Sequence, residues 1–184
     1  MASITVKISV PVKKVISRTK LKIGVSSCLL GQPVRYNGDH KYNQTVVDLL
    51  GDQFEAVPVC PEVEMGMGVP REQVQVVEGR LVGVESGKDW TDAMNSFNSN
   101  KLEELAQLNL SGFIFKVRSP SCGTGRVPLH QEQSGEKSSS SGLFARAFMK
   151  HFPLIPVIDE EALQDKPTRE KFIARIIEAE NLRR

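Results

Sequence analysis

The chain has 184 residues, of which 40% are hydrophobic and 25% charged, and a formal net charge of +2. That length buries a real core within one domain, and the composition is that of an ordinary globular fold. So small a net charge excludes a general binder of nucleic acid or acidic surfaces, and no apolar run is long enough to span a bilayer.

Residues 1–21 read apart from the rest. Between Met1 and Gly38 stand Lys7, Lys13, Lys14, Arg18, Lys20, Lys22 and Arg35, with no acid among them. The segment lacks the apolar core and cleavage site of a secretory signal. Ile4, Val6, Ile8, Val10 and Val12 alternate, which is strand periodicity and not the amphipathic helix of an organelle presequence. A basic N-terminal arm or extra strand is therefore expected ahead of one domain over residues 22–184. Three cysteines without a CxxC pair do not make a secreted disulfide scaffold, so the expected location is cytoplasmic, with reduced thiols.

Lys22–Ser26 is expected as the first core strand, running into Ser27 and Cys28. A turn at Gly31 follows, then a loop carrying Arg35, His40 and Lys41. Gln44–Gly51 has apolar residues at helical spacing and a glycine at the C-terminal cap. Ala56–Val59 reads as a short strand because of Pro58 and Pro61, and it leads into Cys60. Glu64–Arg71 is a glycine-rich turn that lacks the Gly-Lys-Ser/Thr ending of a phosphate loop. Gln73–Gly79 and Arg80–Glu85 predict a β-hairpin turning at Glu78-Gly79. Thr91 is expected to cap a helix through Leu108, with Ala93, Met94, Phe97, Leu102, Leu105 and Leu108 near one face. Gly112–Val117 is a buried strand that feeds the loop Arg118–Gly125. Residues 131–142 are polar and serine-rich, expected as a surface loop. A helix over Leu143–His151, a strand over Leu154–Val157 and a helix opening at Pro167-Thr168 complete the chain. Strand and helix alternate, the α/β signature. The expected fold is a single compact domain with a mostly parallel, Rossmann-like sheet flanked by helices, plus the β-hairpin.

Cys28, Cys60 and Cys122 each follow a strand-like run. In an open parallel sheet ligands bind in the crevice beyond the carboxyl ends of the strands, so three such ends give the thiols a common place. Three converging thiols leave several chemistries open. One is a zinc-stabilised binding domain with a Cys3His site completed by His40, His130 or His151. Another is a cluster-free enzyme with one nucleophilic cysteine, Cys28 or Cys122, beside a histidine. The third is an iron–sulfur cluster, which usually takes four cysteines and here has three.

The stretches VSSCLLGQPVRYNGDHK, VPVCPEVEMGMGVPRE and KVRSPSCGTG resemble, in this order, the three motifs of the thiouracil desulfidase family, over roughly Lys22 to Asp159. The resemblance implies a [4Fe-4S] cluster on Cys28, Cys60 and Cys122, with one iron lacking a cysteine ligand and open to substrate sulfur. It implies non-redox conversion of the C=S of 2-thiouracil, or a similar thiolated pyrimidine, to C=O with release of sulfide. Within that reading Glu62 is the expected base for the attacking water. Ser119 and Ser121 are expected to donate to substrate or relay a proton. Ser27, Arg35, His40 and Lys41 are expected in the substrate or cluster environment, the three basic residues offsetting a thiolate-bound cluster's charge. Arg71 is expected to pair with Glu62 or Glu64. The expected partner is a small thionated base, with no membrane and no stable nucleic-acid partner.

Overall fold

Apolar strands alternate with helices along the computed structural model, which describes residues 20–51, 53–125, 127–130 and 139–183. In chain order the elements are β1 (Leu21–Ser26), α1 (Gln44–Leu50), β2 (Phe54–Val59), α2 (Pro61–Glu64), β3 (Val74–Val77), β4 (Arg80–Gly83), α3 (Thr91–Gln107), β5 (Gly112–Phe115), β6 (Val127–His130), β7 (Ser139–Ser140), α4 (Leu143–His151), β8 (Val157–Asp159) and α5 (Lys166–Arg183). Short 3-10 helices lie at Ser27–Leu30 and Ala162–Gln164. The expected N-terminal arm falls mostly on residues 1–19, outside the described residues. Among the described residues, no helix is long and apolar enough to cross a membrane.

The main sheet has four strands in the order β2-β1-β5-β8, all parallel. The chain moves outward from β1 to β2, then returns to the other side of β1 to lay down β5. That reversal places a topological switch point at the carboxyl ends of β1 and β5, where α/β folds open a ligand crevice. Both faces of the sheet are covered, which explains why its inner strands are apolar runs without alternation. On one face Phe113 and Phe115 stack at 4.1 Å between centroids, with Phe148 edge-on to Phe113 at 4.8 Å. This aromatic layer packs under α3 and α4. On the other face Ile23, Val25, Ile114 and Ile158 pack with Leu29, Val46, Leu163, Phe172 and Ile176. Gly24 is what lets the layers close: a Cβ there would lie 2.2 Å from Cδ2 of Phe113.

A second sheet of order β4-β3-β6-β7 stands beside the first. It contains the expected hairpin, turning at Glu78 and Gly79, both at positive φ. It also contains two strands that the sequence pattern does not announce, β6 parallel to β3 and β7 antiparallel to β6. Within the segment expected as a serine-rich loop, Ser139 and Ser140 are thus paired as β7, and residues 131–138 lie outside the described residues.

Two further expectations are corrected. The last strand lies at Val157–Asp159, not Leu154–Val157. Pro156 has no N–H for a ladder, its carbonyl accepts the Phe113 N–H at 3.0 Å, and Leu154 is 85% exposed. Thr91 does not cap α3. It is the first helical residue, and its Oγ1 accepts the Leu81 N–H and donates to Asp89.

Candidate active site

Each cysteine sits where a strand of the parallel sheet gives out. β1 ends at Ser26, and the 3-10 helix that follows carries Cys28. β2 ends at Val59, so Cys60 is the residue before α2, whose first position is Pro61, a placement that suits proline's fixed φ and missing N–H. The Cys60 N–H donates to Glu64 Oε1 at 2.8 Å, and Glu64 also pairs with Lys101 of α3 at 2.9 Å. β5 ends at Phe115, and the chain turns through Arg118, at φ 57°, to Cys122. The Ser119 hydroxyl oxygen caps that turn, accepting the N–H of Cys122 at 3.0 Å and of Ser121 at 3.3 Å. Gly123 must be small, since a Cβ would lie 2.4 Å from Val127 Cγ2.

All three thiols line a single cleft of about 670 Å³ at the switch point. Burial pushes the Cys28 thiol up to about 11, with the nearby Cys60 adding to the rise and Lys116 opposing it. Cys60 is raised by burial, against an opposing hydrogen bond from the Val63 amide. Cys122 is raised well above the ordinary thiol value, again by burial, with the Ser26 hydroxyl opposing and the charges of Cys60 and Cys28 adding. The thiols feel one another across the cleft, and burial favours their protonated forms. Among the described residues, no three Cys, His, Asp or Glu side chains lie close enough to share one metal ion.

The polar walls are built from pairs. Glu62 accepts from Arg71 Nε at 3.1 Å and from its terminal nitrogen at 2.6 Å, both on Oε2, while the Ser121 hydroxyl donates to Oε1 at 2.8 Å. Arg71 also donates to the carbonyls of Val34 and Gly68 at 3.0 Å, which ties the loop after Cys28 to the turn after Cys60. On the opposite wall the buried Glu160 accepts from Lys116 Nζ and, at 2.7 Å, from the Val117 N–H. Among the described residues, five cations line the cleft, Arg35, Lys41, Arg71, Lys116 and Arg118, against two carboxylates, Glu62 and Glu160. The surplus of positive charge suits an anionic thiolate-bound group.

Ser27, Cys28, Arg35, Lys41, Cys60, Glu62, Ser119 and Cys122 all line the cleft. Ser121 is fully buried and outside the lining, with its hydroxyl bonded to Glu62, which does line the cleft. His40 is exposed and outside the lining, its Nδ1 accepting the Tyr42 N–H at 3.2 Å. His151 ends α4, also outside the lining, with its ring against Phe152. Of the two expected partners for Arg71, Glu62 is the one it takes. Lys116 and Glu160 were not foreseen. Both follow directly on the ends of parallel strands, and the crevice rule applied to β5 and β8 would have marked them.

A cleft lined by three thiols at the switch point of a parallel sheet is the ligand-binding crevice of an α/β fold. The chain belongs to the 2-thiouracil desulfurase family, whose profile matches residues 23–160; the family is one of C–S-cleaving enzymes. It is 34% identical over 150 residues to the uncharacterized protein YbbK of Bacillus subtilis (strain 168), covering 77% of this chain and 97% of that protein. Among solved structures it is similar to the [4Fe-4S]-dependent thiouracil desulfidase TudS, with a TM-score of 0.66 and 33% identity over 79% of this chain and 94% of that one.

Proposed function

We propose that this chain is a cytoplasmic desulfidase that converts the C=S of a thiolated pyrimidine such as 2-thiouracil to C=O and releases sulfide. The observation that carries the reading is the meeting of Cys28, Cys60 and Cys122 in one cleft. With it stand the family match over residues 23–160 and the likeness to a [4Fe-4S]-dependent thiouracil desulfidase. Cys28, Cys60 and Cys122 would hold the cluster, and the donor set fits it, as the three share one cleft and offer soft sulfur ligands suited to iron. Such a cluster, when bound, supplies an iron without a cysteine ligand, a soft Lewis acid suited to thiocarbonyl sulfur.

The protein's own groups do the rest. Glu62 takes a proton from the water that attacks the ring carbon, and Arg71 and Ser121 hold its carboxylate in place. Ser119 keeps the Cys122 turn in shape with its oxygen and has its hydroxyl proton left to offer substrate. Arg35 and Lys41 add positive charge on the side of Cys28. The partner is a small base, which the cleft can admit whole, with no stable nucleic-acid partner. Of the three histidines that could complete a Cys3His zinc site, His40 and His151 lie outside the cleft lining and the side chain of His130 lies outside the described residues, while a lone nucleophilic thiolate is disfavoured because burial raises all three thiols.

Anaerobic reconstitution with iron and sulfide tests the proposal. The expected product is a brown protein that binds both in cubane stoichiometry and releases sulfide from 2-thiouracil. Serine in place of Cys28, Cys60 or Cys122 should each abolish cluster retention and turnover. A protein that stays colourless and keeps zinc, or one in which two of the three replacements remain active, overturns it.

A further inference from the structure

The chain has two tyrosines, and both line the cleft, on the loop that leaves Cys28. They are held differently. Tyr36 is half-buried, with the Arg35 guanidinium 5.5 Å from its ring centroid and its carbonyl taken by the Arg71 N–H at 2.8 Å. Tyr42 is 48% exposed, yet it is held by two hydrogen bonds and a contact with Gly31. Its hydroxyl donates to Gln44 Oε1 at 3.0 Å and its N–H to His40 Nδ1 at 3.2 Å. Its ring lies over Gly31, where a Cβ would come within 3.2 Å of Cδ2. The residues on either side are strapped to the cysteine turn, Lys41 N–H to the Cys28 carbonyl at 2.9 Å and Asn43 N–H to the Leu29 carbonyl at 3.0 Å. The ring therefore keeps a set position relative to Cys28 while leaving much of its surface uncovered.

A fixed aromatic ring with an open face costs little entropy when a flat heterocycle stacks on it, and stacking needs a π-face on both sides. We infer that Tyr42 is the stacking platform for the pyrimidine ring, and that it selects flat, aromatic thiobases over saturated thioamides with the same C=S group. The inference rests on the desulfidase reading and adds to it the feature that chooses the substrate. Tyr36, the other aromatic side chain of the cleft, is half-buried and already has the Arg35 guanidinium over its ring, so Tyr42 offers the freer face.

The test compares 2-thiouracil with 5,6-dihydro-2-thiouracil, which keeps the thiocarbonyl but loses the flat aromatic ring, in cluster-loaded wild type, Tyr42→Phe and Tyr42→Leu. Tyr42→Leu should raise KM for 2-thiouracil about ten-fold, equivalent to about 1.4 kcal/mol, and change KM for the dihydro compound less than about two-fold, since only the flat ring stacks. Tyr42→Phe should keep the wild-type preference. Calorimetric binding of uracil, which shares the ring and lacks the sulfur, supplies a readout free of turnover, and it should weaken in Tyr42→Leu alone. Because the preference is a ratio of two substrates on one preparation, partial unfolding of a variant cancels. If wild type desulfurates 2-thiouracil but Tyr42→Leu affects both substrates alike, or neither, the role of Tyr42 is wrong and the desulfidase reading stands. If wild type releases no sulfide, both fall.

Discussion

At the carboxyl edge of the parallel sheet, Arg71 and Glu62 pair with side chains only 6% and 14% exposed, whereas beside the β3–β4 hairpin Arg80 and Asp89 pair at 64% and 35%. The two pairs have the same chemistry and opposite consequences. Removing one partner of a buried pair strands a charge away from water and typically costs about 3–5 kcal/mol, while an exposed pair contributes little because solvent screens it. A buried pair is weak evidence for stability, since a well-packed apolar pair often serves as well or better. The Arg71–Glu62 pair lies in the cleft that gathers the thiols, and in the proposed reaction it fixes a carboxylate beside the reacting atoms. The hairpin pair organises a turn and the start of α3, and nothing near it reacts.

The contrast is broken most severely at Glu62. Glu62→Gln keeps the shape and can still accept from Ser121, but it cannot take a proton from water. A general base contributes about 10²–10⁴-fold, so kcat should fall by roughly that factor with KM for 2-thiouracil changing far less. Steady-state kinetics on cluster-loaded protein, with iron content measured in parallel, reads it. Asp89→Asn, the same chemical change beside the hairpin, should leave kcat where it is. A Glu62→Gln enzyme with near-normal kcat would remove Glu62 from the chemistry and leave the buried pair without the purpose assigned to it.

The site was legible in the sequence to the extent that it depends on strand ends. Cys28, Cys60 and Cys122 each follow an apolar run, and runs such as GFIF need no partner to declare themselves as buried strand. What was not legible depends on partners far along the chain. Lys116 and Glu160 meet across a separation of 44 residues, and no local pattern encodes that. β6 contains Pro128 and only four residues; it is a strand because β3 and β7 flank it. Leu154–Val157 has the pattern of a strand because Leu154-Ile155 look like core, although Leu154 stands in solvent and the ladder begins only past Pro156. Thr91 looked like a helix cap because threonine often is one, but the carboxylate of Asp89 takes the Thr91 N–H at 2.8 Å.

Beneath the cleft a second substitution separates chemistry from folding. Gly24→Ala places a methyl group 2.2 Å from the Phe113 ring, in the aromatic layer that supports the ends of β1 and β5. Overpacking of this kind costs about 1–3 kcal/mol. The midpoint of urea unfolding should fall accordingly with the slope unchanged. Activity per folded, cluster-loaded molecule should drop far less than in Glu62→Gln. An unchanged midpoint would mean that the phenylalanine layer yields easily and is not what props the cleft open.

The smallest effect is expected at the exposed end of the comparison, and it shows only in acid. Asp89 accepts from the Thr91 hydroxyl at 2.5 Å and the Thr91 N–H at 2.8 Å, and from Arg80 Nε at 2.8 Å. These donors, Thr91 first, hold its carboxyl down at about 2 against an ordinary value of 3.8. A carboxyl that is more acidic folded than unfolded stabilises the fold above its unfolded value and loses that contribution as pH falls through its folded one. Wild type should therefore lose an increment of stability between about pH 4 and pH 2 that Asp89→Asn, with no proton to gain, does not lose. Glu72 and Asp165 are also held low, by hydrogen bonds from Ser86 and Thr168, and they make the acid limb of either protein steep. They are the same in both, so the difference between the two curves, measured by thermal melts across that range, belongs to Asp89. Curves that stay parallel down to pH 2 would mean the Thr91 and Arg80 contacts survive protonation or do not form in solution, and the hairpin pair would then be decoration even in the modest sense argued for it.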